Sequence, residues 1–428
     1  MSFRKSLFVI TGFFLFSSVV FSQENKVLNL SVEDAVELAL KENISIKQSN
    51  LSLDSSKRSK DTSWNSLLPS VTASGTYNDG LKENAQTVSL GIRASLAINA
   101  AMVEAIKAAR LNYEKAKIDY DNAVRTIELN IRKTYYNLLV LQETVSIRQN
   151  YERTSKQQYE SNVAKYKLGA VSNIDLLSSQ VSFQQATLDT ISTRDAFNSG
   201  LSQFKQLLGL SQSEELKLTD SISDFVSTKN ISIDGIQGQN AKLKSLESQL
   251  AVANANLLTM RLKTWTPTIS AQYGFDYTGL SATDYDFKDS NSVTLSISLP
   301  LDSFLPFSQS GQSIANAKDN VKNIELQIEQ AKASYEIEIA DCLTKINRAK
   351  DNLKLCEENI VLSEKTYNFA KDAYDHGTRD LLTLQNYLDR FNTSKFNLMQ
   401  EQYSLICAVL DLENILGVPF GTFYGRGE

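Results

Sequence analysis

Two stretches of this chain, from Ala100 to Leu168 and from Gln312 to His376, each run for more than sixty residues without a glycine or a proline. Those are the two residues that most disfavour a helix interior, glycine by about 1 kcal/mol and proline by about 3 kcal/mol. Each stretch is therefore free to form one helix of about 100 Å at ~1.5 Å per residue, several times the usual globular length. A glycine ends each stretch, and the glycines belong to a longer repeat. Tyr159, Tyr166, Gly169, Leu208 and Gly209 recur 208 positions later as Tyr367, Tyr374, Gly377, Leu416 and Gly417. Such a chain folds to span a distance, which points to a conduit or a strut before an enzyme.

All five prolines (Pro69, Pro267, Pro300, Pro306 and Pro419) fall outside these stretches. In each half the expected order is helix, strand, turn, strand, very long helix, glycine tip, return helix. The first repeat covers 23–210, a polar connector 211–235, the second repeat 236–417 and a tail 418–428. Ser31 is the expected N-cap of the first helix, with Asp34 at the third helical position. Apolar residues follow at helical spacing in Val32, Ala35, Val36, Ala39 and Leu40, and the helix is expected to reach about Trp64. Its counterpart is expected over about Gln239 to Thr264.

Heptads run along the long helices. One seam of the second copy reads Ile314, Val321, Ile328, Tyr335, Cys342, Ala349, Cys356, and another Ile339, Ile346, Leu353, Ile360, Tyr367, Tyr374. The first copy begins Ile106, Tyr113, Tyr120, Ile127 and Ile131, Leu138, Val145. A seven-residue repeat held this long specifies left-handed supercoiling against neighbours. On heptads alone a plain two-stranded coiled coil fits as well as a barrel of helices, and the strands separate the two.

Four segments alternate with the period of a strand. Val71, Ala73, Gly75 and Tyr77 oppose Ser70, Thr72, Ser74 and Thr76; Val88, Leu90, Ile92, Ala94 and Leu96 oppose Ser89, Gly91, Arg93 and Ser95. Ile269, Ala271, Tyr273, Phe275 and Tyr277 oppose Thr268, Ser270, Gln272 and Gly274; Val293, Leu295, Ile297 and Leu299 oppose Ser292, Thr294, Ser296 and Ser298. Each is about ten residues, enough to cross a bilayer as a tilted barrel strand. The polar face is small, as a watery lumen allows. Tyr77, Tyr277, Tyr285 and Phe287 lie near the turns, where an interfacial aromatic girdle belongs. Open sheet edges are not tolerated in hydrocarbon, and the smallest closed membrane barrels have eight strands. The barrel must then be shared among protomers. Two hairpins from each of three chains would make twelve strands, although closure alone does not fix the number three.

Residues 1–22 read as a secretory signal, with Arg4 and Lys5 before the apolar run Leu7 to Phe16 and an exit at Val20-Phe21-Ser22. Its removal takes the formal charge from −5 to −7. That is mildly acidic with no basic block, so no nucleic-acid partner is expected. Cys342 and Cys356 are about 21 Å apart along a helix, beyond disulfide reach. With one histidine in the chain, no zinc set is expected. There is no phosphate loop, nucleophile elbow or metalloprotease helix. His376 beside the tip glycine reads as a helix C-terminal residue favoured by the dipole. No enzyme and no cofactor are expected.

The duplicated order resembles the TolC family of outer-membrane efflux proteins over nearly the whole mature sequence. The resemblance rests on Leu30-Ser31-Val32-Glu33-Asp34-Ala35, on Leu68-Pro69-Ser70-Val71 and on two tips. These are Tyr166-Lys167-Leu168-Gly169-Ala170-Val171-Ser172 and Tyr374-Asp375-His376-Gly377-Thr378-Arg379, closed by Leu208-Gly209 and Leu416-Gly417. It implies a mixed α/β membrane protein with a long coiled-coil α-helical barrel in the periplasm. Four transmembrane β-strands per protomer would complete a shared 12-stranded barrel in a homotrimer, set in outer-membrane lipid. It implies a periplasmic adaptor and an inner-membrane transporter of the RND or ABC class as partners, in efflux or type I secretion, without naming the cargo.

By the same resemblance the closed state is held at the tips. Asp175 matches an acidic position of the first tip and Arg379 a linking arginine of the second, so the two are expected to approach one another when the duct is closed. Where some relatives carry two pore-constricting aspartates, this chain has Thr383 and Asn386, with Asp380 one turn earlier. Gly169, Ala170, Val171, Gly377 and Thr378 form the tips that would meet the adaptor. The alternative is a secreted coiled-coil tether or adhesin without a pore, which accounts for heptads and signal but not for four bilayer-length alternating strands.

Overall fold

The computed structural model describes residues 27–80, 85–226, 240–280, 286–301, 305 and 307–423. The signal segment, Tyr285, Pro306, the end of the connector with the start of the second repeat, and the last residues of the tail lie outside the described residues. In chain order the elements are β1 (Leu28–Leu30), α1 (Val32–Glu42), α2 (Ile44–Thr62), β2 (Ser70–Gly80), β3 (Ala85–Ile98), α3 (Ala101–Lys167) and α4 (Asn173–Leu208). There follow β4 (Leu216–Leu218), α5 (Ala241–Trp265), β5 (Thr268–Leu280), β6 (Asp286–Ser298), α6 (Gln309–Asp375) and α7 (Leu381–Leu416).

The two halves match in length in their long and return helices, whereas the helix before the strands is α1 and α2 in the first half and α5 alone in the second. The long helices α3 and α6 are 67 residues each, and the return helices α4 and α7 are 36 each. The repeat extends to side-chain packing. Tyr159 stacks on Phe183 at 6.2 Å between centroids, and Tyr367 stacks on Phe391 at 6.0 Å. The heptad seams are the covered lines of the helices, with Ile131 and Leu138 buried on α3 and Cys342, Ile346, Ala349 and Leu353 buried on α6. Each long helix packs along its return helix, and α3 also packs against α7.

The first helix departs from the expectation of one run to Trp64. It breaks at Asn43, whose extended backbone (ψ 127°) ends α1. The Asn43 Oδ1 then accepts from the amides of Ser45 and Ile46 at 2.8 and 3.2 Å, capping α2. Its Nδ2 donates to the Leu207 carbonyl at 2.6 Å and pins the break to the end of α4. Gly209 sits beside this joint in the left-handed region (φ 77°), where an added Cβ would fall 2.7 Å from the Glu42 carbonyl oxygen. At the other end of α1 Ser31 and Asp34 form the expected capping box. Val32, Ala35, Val36 and Ala39 are buried as read, whereas Leu40 is exposed.

The largest core lies at mid-height. There α1 packs on α3 and α4, α7 adds Ile406 and Leu410 to the same cluster, and β1 pairs in parallel with β4. The stretch read as a polar connector thus supplies a strand and core side chains, Leu218 and Ile222. Tyr135, Tyr136 and Phe204 are fully or almost fully buried in that core, each worth about 1.5–3 kcal/mol relative to exposure on the phenylalanine scale. Arg132 reaches both carboxylate oxygens of Glu33 at 3.1 and 2.9 Å and Glu128 at 2.9 Å, which ties α1 to α3. At the close of α7, Arg125 donates to the carbonyls of Glu413 and Val418 at 2.6 and 2.5 Å. Glu413 belongs to the last turn, whose carbonyls a helix end leaves without an intrahelical donor, and Val418 lies just beyond the Gly417 cap.

Candidate functional site: a strand wall and two helical tips

The four long strands form one antiparallel sheet in the order β2-β3-β5-β6. Its register places the alternating residues on common faces. Gly75 stands opposite Leu90, Leu90 opposite Tyr277, Ile92 opposite Phe275, and Tyr273 opposite Val293. Val71, Tyr77, Leu90, Ile92, Ile269, Tyr273, Val293, Leu295 and Ile297 therefore share one face, and all are exposed; Val293 is 81% accessible. The other face carries Ser70 opposite Ser95, Thr76 opposite Ser89, Gln272 opposite Thr294, and Ser270 opposite Ser296. Near the turns Tyr277 stacks on Phe287 at 5.0 Å. An apolar face left bare and a face of small hydroxyls are the two surfaces of a porin-like wall. The outer strands β2 and β6 each leave one edge unpaired within the chain.

At the opposite end both helical hairpins turn on a glycine with positive φ, 69° at Gly169 and 71° at Gly377. The Ala170 amide donates to the Lys165 carbonyl and the Thr378 amide to the Ala373 carbonyl, both at 2.9 Å, closing two matching Schellman turns. Nothing lies within 4 Å of an added Cβ at either glycine, so backbone conformation and not space requires it. Ala170 and Thr378 are exposed and Val171 is half-buried. His376 ends α6, and its Nδ1 lies 2.7 Å from the Asp372 carbonyl oxygen.

Asp175 does not stand free at the tip. Its Oδ2 accepts from the Ser172 hydroxyl at 2.7 Å and from the Ser172 amide at 3.3 Å, and the Asp175 amide returns a bond to Ser172 Oγ at 3.1 Å. Asp380 is the N-cap of α7 and accepts from the Thr383 amide at 2.8 Å. Hydrogen bonding by Thr383, its side chain first and then its amide, holds the Asp380 carboxyl below the usual range. Asn386 and Arg379 are exposed. Among the described residues the chain forms no ion pair between Asp175 and Arg379.

Other residues join the two hairpins above the tips, and the sequence reading missed them. The Tyr374 hydroxyl on α6 donates to Asn162 Oδ1 on α3 at 2.7 Å. Lys165 lies 3.7 Å from Asp375 and 4.7 Å over the Tyr374 ring. Gln385 donates to Ser182 Oγ at 2.8 Å, and the Tyr151 hydroxyl donates to Asp389 Oδ1 at 2.6 Å. Burial first, and then the Asp389 carboxylate, push the Tyr151 phenol upward and keep it a neutral donor. The signal available beforehand was the heptad seam itself, since Tyr374 lies on it and a buried tyrosine hydroxyl requires a partner.

A lipid-compatible strand wall joined to paired helices about 100 Å long defines a membrane-anchored duct. The outer membrane efflux protein family model matches the chain twice, over residues 35–210 and 233–418, and the chain belongs to that family. TolC of Escherichia coli K12 is 20% identical over 373 residues, covering 82% of this chain and 75% of TolC. TolC of Vibrio cholerae is 18% identical over 368 residues, covering 83% of each. The solved structure of the Campylobacter jejuni CmeC outer membrane channel superposes with a TM-score of 0.76 at 17% identity, over 93% of this chain and 87% of that one. The protein is an outer-membrane efflux channel.

Proposed function

We propose that the protein works as a homotrimeric, passive export duct of a tripartite system, closed at its periplasmic tips when idle. The observation that carries this reading is the unpaired pair of edges, β2 and β6, on a sheet whose apolar face is bare. Backbone donors and acceptors cannot be left open in hydrocarbon, so β6 of one protomer pairs with β2 of the next. Three copies give a closed twelve-stranded barrel.

The helices support the same closure. Because α3 faces α7 within the chain, α4 and α6 are left on the flanks. Both carry exposed apolar heptads, Ile174, Leu177, Val181, Leu188 and Ile191 on α4 and Leu355, Leu362 and Phe369 on α6. In the ring the α4 stripe of one protomer covers the α6 stripe of its neighbour, a heterologous contact that closes by rotation. That contact brings Arg379 of one protomer towards Asp175 of the next, with Asp380, Thr383 and Asn386 around the constriction. One exposed pair is worth about 0–1 kcal/mol, so the closed state needs the threefold set together with the links at Tyr374 and Lys165.

A periplasmic adaptor docks on the tips around Gly169, Ala170, Val171, Gly377 and Thr378 and favours the open arrangement through its differential contacts. An inner-membrane transporter of the RND or ABC class supplies the energy. Native mass spectrometry of the detergent-extracted protein tests the assembly. Three copies are expected, and a stable monomer or dimer of folded protein overturns it.

A further inference from the structure

The polar face of the sheet is nearly free of charge. Away from the turn-proximal Asp286 and Lys288, its only charged members among the described residues are Arg93 and Asp276. They are not direct cross-strand partners. Arg93 stands opposite Gly274 and Asp276 opposite Gly91, so the two charges meet on the diagonal, with Arg93 Nη2 3.4 Å from Asp276 Oδ1. Each is thus placed across from a glycine, and both glycines are buried. An added Cβ at Gly91 would fall 2.5 Å from Asp276 Oδ1, and one at Gly274 would fall 2.9 Å from Ser292 Oγ. Gly91 thus makes room for the Asp276 carboxylate, while Gly274 leaves space beside Ser292 with the Arg93 stem at 4.0 Å. The seam they cross, β3 to β5, is where the hairpins of the two halves meet.

A lone charge on a water-filled wall draws counterions over about 8 Å at physiological ionic strength. Two opposite charges in contact form a dipole, and its field fades faster. We propose that Arg93 and Asp276 set the ion selectivity of the membrane-spanning part of the duct by neutralising one another on a wall of hydroxyls. Solutes of either sign then meet no electrostatic barrier there. The inference rests on the reading above that this face lines the pore.

The test is reversal potential in planar bilayers under a KCl gradient at low ionic strength, in channels whose conductance Arg379→Ala has raised. Asp276→Asn is expected to move the K⁺/Cl⁻ permeability ratio towards chloride by roughly twofold or more, and Arg93→Gln towards potassium by a similar factor. The double variant should return to the parent ratio. A reporter that leaves the pair intact guards against misassembly. Ser292→Cys should react with anionic and cationic membrane-impermeant thiol reagents in the ratio of a free thiol, while Leu295→Cys on the other face reacts with neither. Ratios unmoved by both single substitutions overturn the proposal, as does a strong sign bias at Ser292→Cys. Silence at Ser292→Cys, or absence of parent channels, overturns instead the pore reading beneath it.

Discussion

The hydroxyl of Tyr374 donates to Oδ1 of Asn162 across 2.7 Å, joining the second long helix to the first within about two turns of the tips. Both residues are buried, and Lys165 closes the site with its contacts to the Tyr374 ring and to Asp375. Each half of the repeat contributes one partner, so the link restrains one hairpin against the other where the duct narrows in the proposed closed state.

Removing that hydroxyl should loosen the closed state without dismantling the chain. A neutral hydrogen bond of this kind is worth about 0.5–1.5 kcal/mol, and Asn162 Oδ1 keeps the Gln158 side-chain amide at 3.2 Å. Tyr374→Phe is expected to raise single-channel conductance while the oligomer stays intact. Burial raises the Tyr374 phenol, so the effect should be the same at pH 6 and pH 8. Conductance equal to that of the parent would remove this link from the gate.

Arg379→Ala tests the contact between protomers. The expected result is a rise in conductance that adds to that of Tyr374→Phe in the double variant, because the two links join different pairs of helices. Raising salt should narrow the difference between Arg379→Ala and its parent, since an exposed ion pair is screened. A salt-independent difference, or none, contradicts the assignment.

The glycines should separate by their surroundings. Gly169→Ala meets only the strain of a positive φ, about 1 kcal/mol, with nothing within 4 Å of the new Cβ. Gly209→Ala meets the same strain and also the Glu42 carbonyl at 2.7 Å. Thermal melts of the purified variants should rank Gly209→Ala clearly below Gly169→Ala. Equal melting temperatures would mean that the joint beside Asn43 yields freely.

Glu413 gives a pH dependence of defined sign. Its side chain is fully buried and accepts from the amides of Gly421 and Phe423 at 3.0 and 2.8 Å, holding the tail on the end of α7. Burial raises its pKa above the ordinary 4.5, against those amides and Arg132 and Arg125. A raised carboxyl binds its proton more tightly in the folded state, so its contribution is greatest below pH 4.5. It declines as pH rises through the folded value. Relative to Glu413→Gln, the wild type should lose melting temperature between pH 4 and pH 7. A gap that is flat or grows with pH would reverse the sign.

Much of this was legible beforehand because it is carried by backbone rules. The glycine-free stretches, the spacing of Gly169 and Gly377, and the alternation in four segments each follow from steric or periodic constraints that one sequence exposes. The break at Asn43 was not, because Val32, Ala35, Val36 and Ala39 continue a helical pattern up to it and the decisive contact, Asn43 to Leu207, is tertiary. Asp175 shows the opposite failure. The pattern Ser172-x-x-Asp175 is itself a capping signature, and reading it there would have explained the local role of the carboxylate before any gate was invoked. Asn162 and Gln385 were invisible since a polar residue on a coiled-coil surface carries no mark of which helix it faces.

The measurement that bears most directly on the duct is single-channel recording of the detergent-purified mature protein in a planar bilayer. The account predicts discrete steps, small in the parent and larger in Tyr374→Phe and Arg379→Ala. An oligomer verified to be inserted that yields no steps in any of the three contradicts it and leaves the paired helices as a tether.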